Sequence, residues 1–126
     1  MTALVKVKPG VEFATIAPAG FAILSALYLA SASLGSPLTI TSGTDGEHSG
    51  ESDPHHRGEA YDIRSQDFPE VMLPTVLGSI MHSLGLPQPG STALEVFTEN
   101  FYGFLEAAGT PNAHFHVQLR KGHVYG

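Results

Sequence analysis

The spacing of hydrophobic and polar positions changes period along this chain. Between Ala17 and Leu34 almost every residue is alanine, serine, aliphatic or aromatic, with Pro18 at the opening turn and Gly35 just past the end. Those are helix boundaries, since proline is tolerated in a first turn and glycine favours the stop. A second helix is expected over residues 68–84, with Pro69 near its start, Pro74 in its first turns and Gly85 after its end. Residues 39–42 read as a short strand, residues 44–54 as a polar loop carrying Gly46, Gly50 and Pro54, and residues 86–91 as a Pro/Gly loop.

Two segments follow a period of two. In Glu59–Arg64, Tyr61 and Ile63 take one face while Ala60, Asp62 and Arg64 take the other. In His114–Arg120, Phe115, Val117 and Leu119 form a core face, and His114, His116 and Gln118 project from the opposite one. The apolar segment Phe101–Leu105 before it completes a terminal hairpin. The order helix, strand, loop, strand, helix, hairpin predicts an α+β fold with a small, mainly antiparallel sheet and flanking helices.

The apolar run 17–34 invites a reading as a membrane helix or signal sequence. Its length is near the lower limit for spanning. It follows Val5–Phe13, a strand-and-turn start with Glu12 close to the run, whereas a signal peptide places its basic region directly before the apolar stretch. A buried core helix is expected, with no membrane span and no signal peptide.

Composition narrows the partners. A chain of 126 residues with 42 % hydrophobic content suits one compact domain, 1–126, and no linker, repeat or low-complexity tail interrupts it. A formal charge of −6 with scattered basic residues disfavours nucleic acid. The absence of cysteine excludes disulfides and thiolate metal sites and leaves the compartment open. A monomer is expected.

The alternating segments carry the candidate chemistry. Imidazole and carboxylate are the ligands that suit zinc without cysteine, and a catalytic zinc site takes three of them, leaving one position open. Asp62 and His116 lie on the polar faces of two strands, and His55 arrives from the loop before the first. His55, Asp62 and His116 are therefore the expected zinc ligands. Gly58 lets that loop turn sharply, and Ala60 leaves room beside the metal. His48, His82 and His123 are expected to be ordinary surface or core residues, since ligation needs convergent partners.

The run Asp53-Pro54-His55-His56-Arg57-Gly58-Glu59-Ala60-Tyr61-Asp62, with His114-Phe115-His116-Val117 near the end, resembles a known family. It is that of the zinc D-alanyl-D-alanine carboxypeptidases and L-alanyl-D-glutamate endopeptidases of peptidoglycan, whose fold is shared with the Hedgehog signalling domain. His55, Gly58, Ala60 and Asp62 match its pattern Ser-x-His-x-x-Gly-x-Ala-x-Asp in register. The stretch Leu38–Gly43 is similar to the family's strand leading into the site, and Asp62-Ile63-Arg64 to a form common in phage-encoded members. The likeness runs from the helix before Leu38 to Arg120. It implies a Hedgehog-like fold, a zinc cofactor and hydrolysis of a peptide bond in the peptidoglycan stem peptide. A phage or prophage lysis or tail role fits, with the enzyme made in the host cytoplasm and reaching the cell wall through holin pores.

Three positions depart from that pattern. Asp53 stands in place of the serine, and Thr44-Asp45-Gly46 in place of an arginine that binds substrate carboxylate. Ala113 replaces the acidic general base three residues before the last ligand. A hydrolytic water needs a proton acceptor, so Glu106 and His114 are the candidate catalytic residues. Glu106 stands where phage-type relatives carry a glutamate ahead of the histidine strand, and the loop 107–113 either returns it to the cleft or carries it away. His114 lies ~7 Å from His116 on the same face, suited equally to catalysis or to an outer hydrogen bond. Glu47, Glu51 and Asp53 stand in reserve. Arg57, Arg64 and Arg120 are candidates for holding a substrate carboxylate, with no spacing to choose among them. The rival reading, which Ala113 favours, is an inactive zinc-containing binding or structural domain, for example in a phage particle.

Overall fold

The computed structural model describes residues 4–45, 53–88 and 93–126. Gly46, Glu47, His48, Gly50 and Glu51 of the polar loop, and residues 89–91 of the Pro/Gly loop, lie outside the described residues. Among the described residues, six strands form one mixed sheet: β1 (Val5–Val7), β2 (Leu38–Ser42), β3 (Ala60–Arg64), β4 (Glu95–Phe97), β5 (Phe101–Glu106) and β6 (His114–Leu119). Their order across the sheet is β1-β2-β3-β6-β5-β4. Only β1 and β2 run parallel, and the remaining neighbours are antiparallel. Helices α1 (Pro18–Leu34) and α2 (Leu73–His82) complete an α+β architecture with a mostly antiparallel sheet.

Strand alternation builds the core. Leu38 and Ile40, Tyr61 and Ile63, and Phe115 and Val117 all pack in one cluster with Ile23 and Leu27 of α1 and Leu77 and Ile80 of α2. Burying each such side chain is worth roughly 1.5–3 kcal/mol. Gly103 of β5 has its place here for lack of space: a Cβ on it would lie 2.6 Å from Met81 Sδ. The helices thus occupy one face of the sheet, and the opposite face carries the polar members of the same strands.

The structure corrects several boundaries. α1 starts at Pro18 and stops at Gly35, as the sequence implies, but it is buried on one flank only. Phe21, Tyr28 and Leu29 are exposed, because a helix apolar on every side meets the sheet and α2 along a single stripe. No described helix is long and apolar enough to cross a membrane. α2 begins later than expected: Glu70–Met72 forms a 3-10 turn, and Pro74 falls in the first turn of the helix proper. A continuous helix from residue 68 would drive the Pro74 ring against the carbonyl of Glu70 and remove a hydrogen bond. The terminal hairpin gains a third strand, β4, whose three residues bury only Val96 and are too few to show a period.

Candidate metal centre

The register of β3 against β6 sets Asp62 directly opposite His116, and both stand on the face away from the helices. A shift in the β2–β3 pairing between Ile40 and Ser42 brings Ser42 beside Asp62. His55 arrives from the turn 53–58. The Asp53 carboxylate accepts the His55 backbone N–H at 2.8 Å, and the Gly58 N–H donates to the His55 carbonyl at 3.1 Å. Gly58 has φ 69°, and a Cβ there would lie 2.2 Å from the Thr15 carbonyl oxygen, so the turn requires glycine. Asp53 therefore supplies the hydrogen-bond acceptor that shapes this turn.

Asp62 Oδ1 lies 3.0 Å from His116 Nδ1 and 3.4 Å from His55 Nε2. The far nitrogen of each ring also meets an acceptor. His55 Nδ1 is 3.0 Å from the Gly43 carbonyl, and His116 Nε2 is 2.7 Å from Gln118 Oε1. The Gln118 amide is itself oriented, since its nitrogen donates to the Leu119 carbonyl at 3.1 Å. These acceptors take the far N–H groups, and in the metal-free protein the near nitrogens face Asp62 as donors; a metal ion would displace those protons and take the near lone pairs. Outer hydrogen bonds of this kind set the tautomer and ring orientation of metal-ligating histidines. Gly43 holds its carbonyl in place through tight packing, because a Cβ on it would lie 2.3 Å from the Glu12 carbonyl oxygen. Thr44 and Asp45 bind that same segment: Asp45 Oδ1 accepts from Gly43 at 2.8 Å and from Glu12 at 3.0 Å, and Thr44 Oγ1 accepts from Ala14 at 2.9 Å.

The electrostatics follow from this geometry. Burial raises the Asp62 carboxyl, but hydrogen bonds from His116 and His55 and their charges outweigh it, holding the group well below the usual carboxylate range. Burial lowers the His55 imidazole, yet its hydrogen bond to Asp62 and the attraction of that carboxylate leave it above its ordinary value of 6.5. Both rings are sheltered: His55 and His116 are buried, meeting edge to face with centroids 5.1 Å apart. Phe104 packs on His116 at 5.0 Å.

Glu106 and His114 are brought together. The loop 107–113 closes so that the two residues pair across β5 and β6, with Glu106 Oε1 3.1 Å from His114 Nε2. His114 Nδ1 lies 2.8 Å from the Asn112 carbonyl, and its Nε2 lies 3.7 Å from Asp62 Oδ2. A second potential ligand group, Asp62, Glu106 and His114, thus adjoins the first, formed by His55, Asp62 and His116. Ala113 is buried, and its carbonyl accepts from Ser65 Oγ and Gln66 Nε2, each at 2.7 Å. A cleft of about 400 Å³ opens beside these groups, lined among others by Ser42, Asp62, Arg64, Asn112 and His114.

Other histidines stand apart from this group. His82 Nδ1 lies 2.6 Å from the Leu86 carbonyl, and His123 Nδ1 lies 3.2 Å from Asn100 Oδ1. Strand phase marked Gln118 as facing the site, but the acceptors at Gly43 and Asn112 are backbone carbonyls and left no residue signature.

Comparison with family models, curated proteins and solved structures finds no match. Two imidazoles and one carboxylate whose ligand atoms lie within 4.8 Å of one another can hold a divalent metal ion.

Proposed function

We propose that this protein is a zinc metallopeptidase that hydrolyses a bond in the peptide stem of bacterial peptidoglycan, on a Hedgehog-like scaffold. The observation that carries the reading is the convergence of His55, Asp62 and His116, each histidine with its far nitrogen engaged by an acceptor. Their order and spacing are those of the peptidase motif the sequence resembles. Nitrogen and oxygen donors without sulfur suit zinc, and three protein ligands leave a position for chemistry.

A zinc ion in such a site supplies Lewis-acid polarisation of a carbonyl and a lowered pKa for water. The chain's own residues have separate tasks. Asp62 and the oriented imidazoles of His55 and His116 would hold the ion. Glu106, exposed and hydrogen-bonded to His114, takes the proton from the attacking water and returns it to the leaving amine. His114, steadied by the Asn112 carbonyl through Nδ1, orients the Glu106 carboxylate through Nε2. This pair takes over the role left vacant by Ala113.

The rival reading is an inactive zinc-bearing binding domain. Ala113 favours it, because its side chain offers no proton acceptor and its carbonyl is already engaged by Ser65 and Gln66. Zinc stoichiometry measured together with hydrolysis of purified peptidoglycan decides between them. One zinc per chain with release of new amino termini supports the peptidase. One zinc per chain without cleavage establishes the binding domain, and no zinc overturns both.

A further inference from the structure

The polar face of the sheet offers more donor atoms than one ion uses. Asp62 Oδ1 faces both His55 and His116. The other oxygen of that carboxylate, Oδ2, lies 3.7 Å from His114 Nε2, which is in turn 3.1 Å from Glu106 Oε1. Ligand atoms of Asp62, Glu106 and His114 all lie within 4.8 Å of one another, as close as those of the first group. Strand register produces the doubling. Asp62 stands directly opposite His116 on β6 and diagonal to His114, while Glu106 reaches His114 from β5 on the other side.

This second group shares the outer support of the first. The Asn112 carbonyl, 2.8 Å from His114 Nδ1, fixes the ring so that Nε2 turns to the two carboxylates. The Gly43 carbonyl and Gln118 do the same for His55 and His116. The two oxygens of Asp62 face different histidines, the arrangement of a carboxylate that bridges two ions. One imidazole and two carboxylates suit a divalent first-row metal ion such as zinc. An ion here is held more weakly than in the first group. It has one imidazole instead of two, shares Asp62 with its neighbour and draws a third donor from an exposed glutamate. Lys8 and Arg64 line the same cleft, and their charges oppose a second dication.

We propose that Asp62, Glu106 and His114 form a second, weaker divalent-metal site, joined to the first through the Asp62 carboxylate, and that an ion held there blocks hydrolysis. The ion takes the Glu106 oxygen that would accept the proton of the attacking water, and it displaces the proton of His114 Nε2 to solvent. Excess metal thus turns the proton acceptor into a ligand. The block rests on the peptidase reading, whereas the site itself is measured by metal binding alone.

The test dialyses metal-free protein against rising concentrations of free zinc, counts bound metal and follows peptidoglycan hydrolysis in parallel. The protein should take up one zinc and then, at higher concentration, a second. Hydrolysis should rise with the first and fall ~100-fold as the second fills. Glu106→Gln and His114→Gln should each lose the second equivalent while keeping the first and the melting temperature. His82→Gln, on α2 across the sheet, should keep both. Cobalt gives an independent reading, because the second cobalt should add its own visible absorption and His114→Gln should remove it. A single zinc at every concentration, or a second that survives in both Glu106→Gln and His114→Gln, overturns the site. Hydrolysis unchanged or raised as the second zinc binds overturns the block. Two bound zinc ions with no hydrolysis at any zinc level overturn the peptidase reading and leave the second site supported.

Discussion

Gln118 Oε1 lies 2.7 Å from His116 Nε2, on the ring edge away from Asp62, whose Oδ1 is 3.0 Å from Nδ1. This relationship leaves Nδ1 as the atom through which His116 would bind a metal ion. Gln118→Leu keeps the shape and removes the acceptor, so zinc affinity should fall ~10–100-fold with the ligands themselves intact. Competition with a chromophoric chelator reads the change, and an unaltered affinity would show that the ring needs no such support.

Removing a ligand should have a larger effect. His55→Ala, Asp62→Ala or His116→Ala should each abolish most bound zinc, because a three-ligand site loses much of its affinity with one donor gone. Metal analysis after dialysis gives the answer directly. Full zinc retained by His116→Ala would contradict the ligand assignment.

Zinc should also stabilise the fold. An ion held by His55, Asp62 and His116 ties the turn 53–58 to β3 and β6, so chelation should lower the melting temperature by mass action. A melting curve unmoved after verified zinc removal would mean that these elements are held without it.

The Glu106–His114 pair can be dissected by two variants. Glu106→Gln keeps size and hydrogen bonding but loses proton acceptance, and turnover should drop ~100-fold or more with zinc retained. His114→Ala should lower turnover and also leave the Glu106 carboxylate without its partner at 3.1 Å. Peptidoglycan hydrolysis at wild-type rate in both variants would remove the pair from the mechanism.

Acidity should act on the metal-free protein from both sides. The folded carboxyl of Asp62 is depressed, so its contribution is present above an unfolded pKa of about 4 and disappears as pH falls through the lower folded value. The folded imidazole of His55 is raised, so its contribution is complete below 6.5 and disappears as pH rises through the higher folded value. Metal-free protein should therefore melt highest between about pH 4 and 6.5. Zinc should reverse the alkaline loss, since ligation requires neutral imidazole. A metal-free melting temperature that climbs steadily from pH 6 to 8 would contradict the assigned contacts.

Much of this arrangement was legible in the chain because strand period is local. Tyr61 and Ile63 against Asp62, and Phe115 and Val117 against His116, declare their faces within a few residues, so the polar side of each strand can be read without knowing its neighbour. Gly35 and Pro18 mark α1 for the same reason, through backbone preferences that act within one turn. Tertiary structure decided what meets across distance. Asp62 and His116 are 54 positions apart, and only the β3–β6 register sets them opposite one another. The loop 107–113 was compatible with Glu106 inside or outside the cleft, and the β5–β6 pairing brought it to His114. Lys8 reaches the same cleft because β1 adds in parallel to β2, a pairing with no signal in three residues. The acceptors at Gly43 and Asn112 are carbonyls common to every residue, so their place beside an imidazole comes from long-range packing and strand register, not from side-chain type.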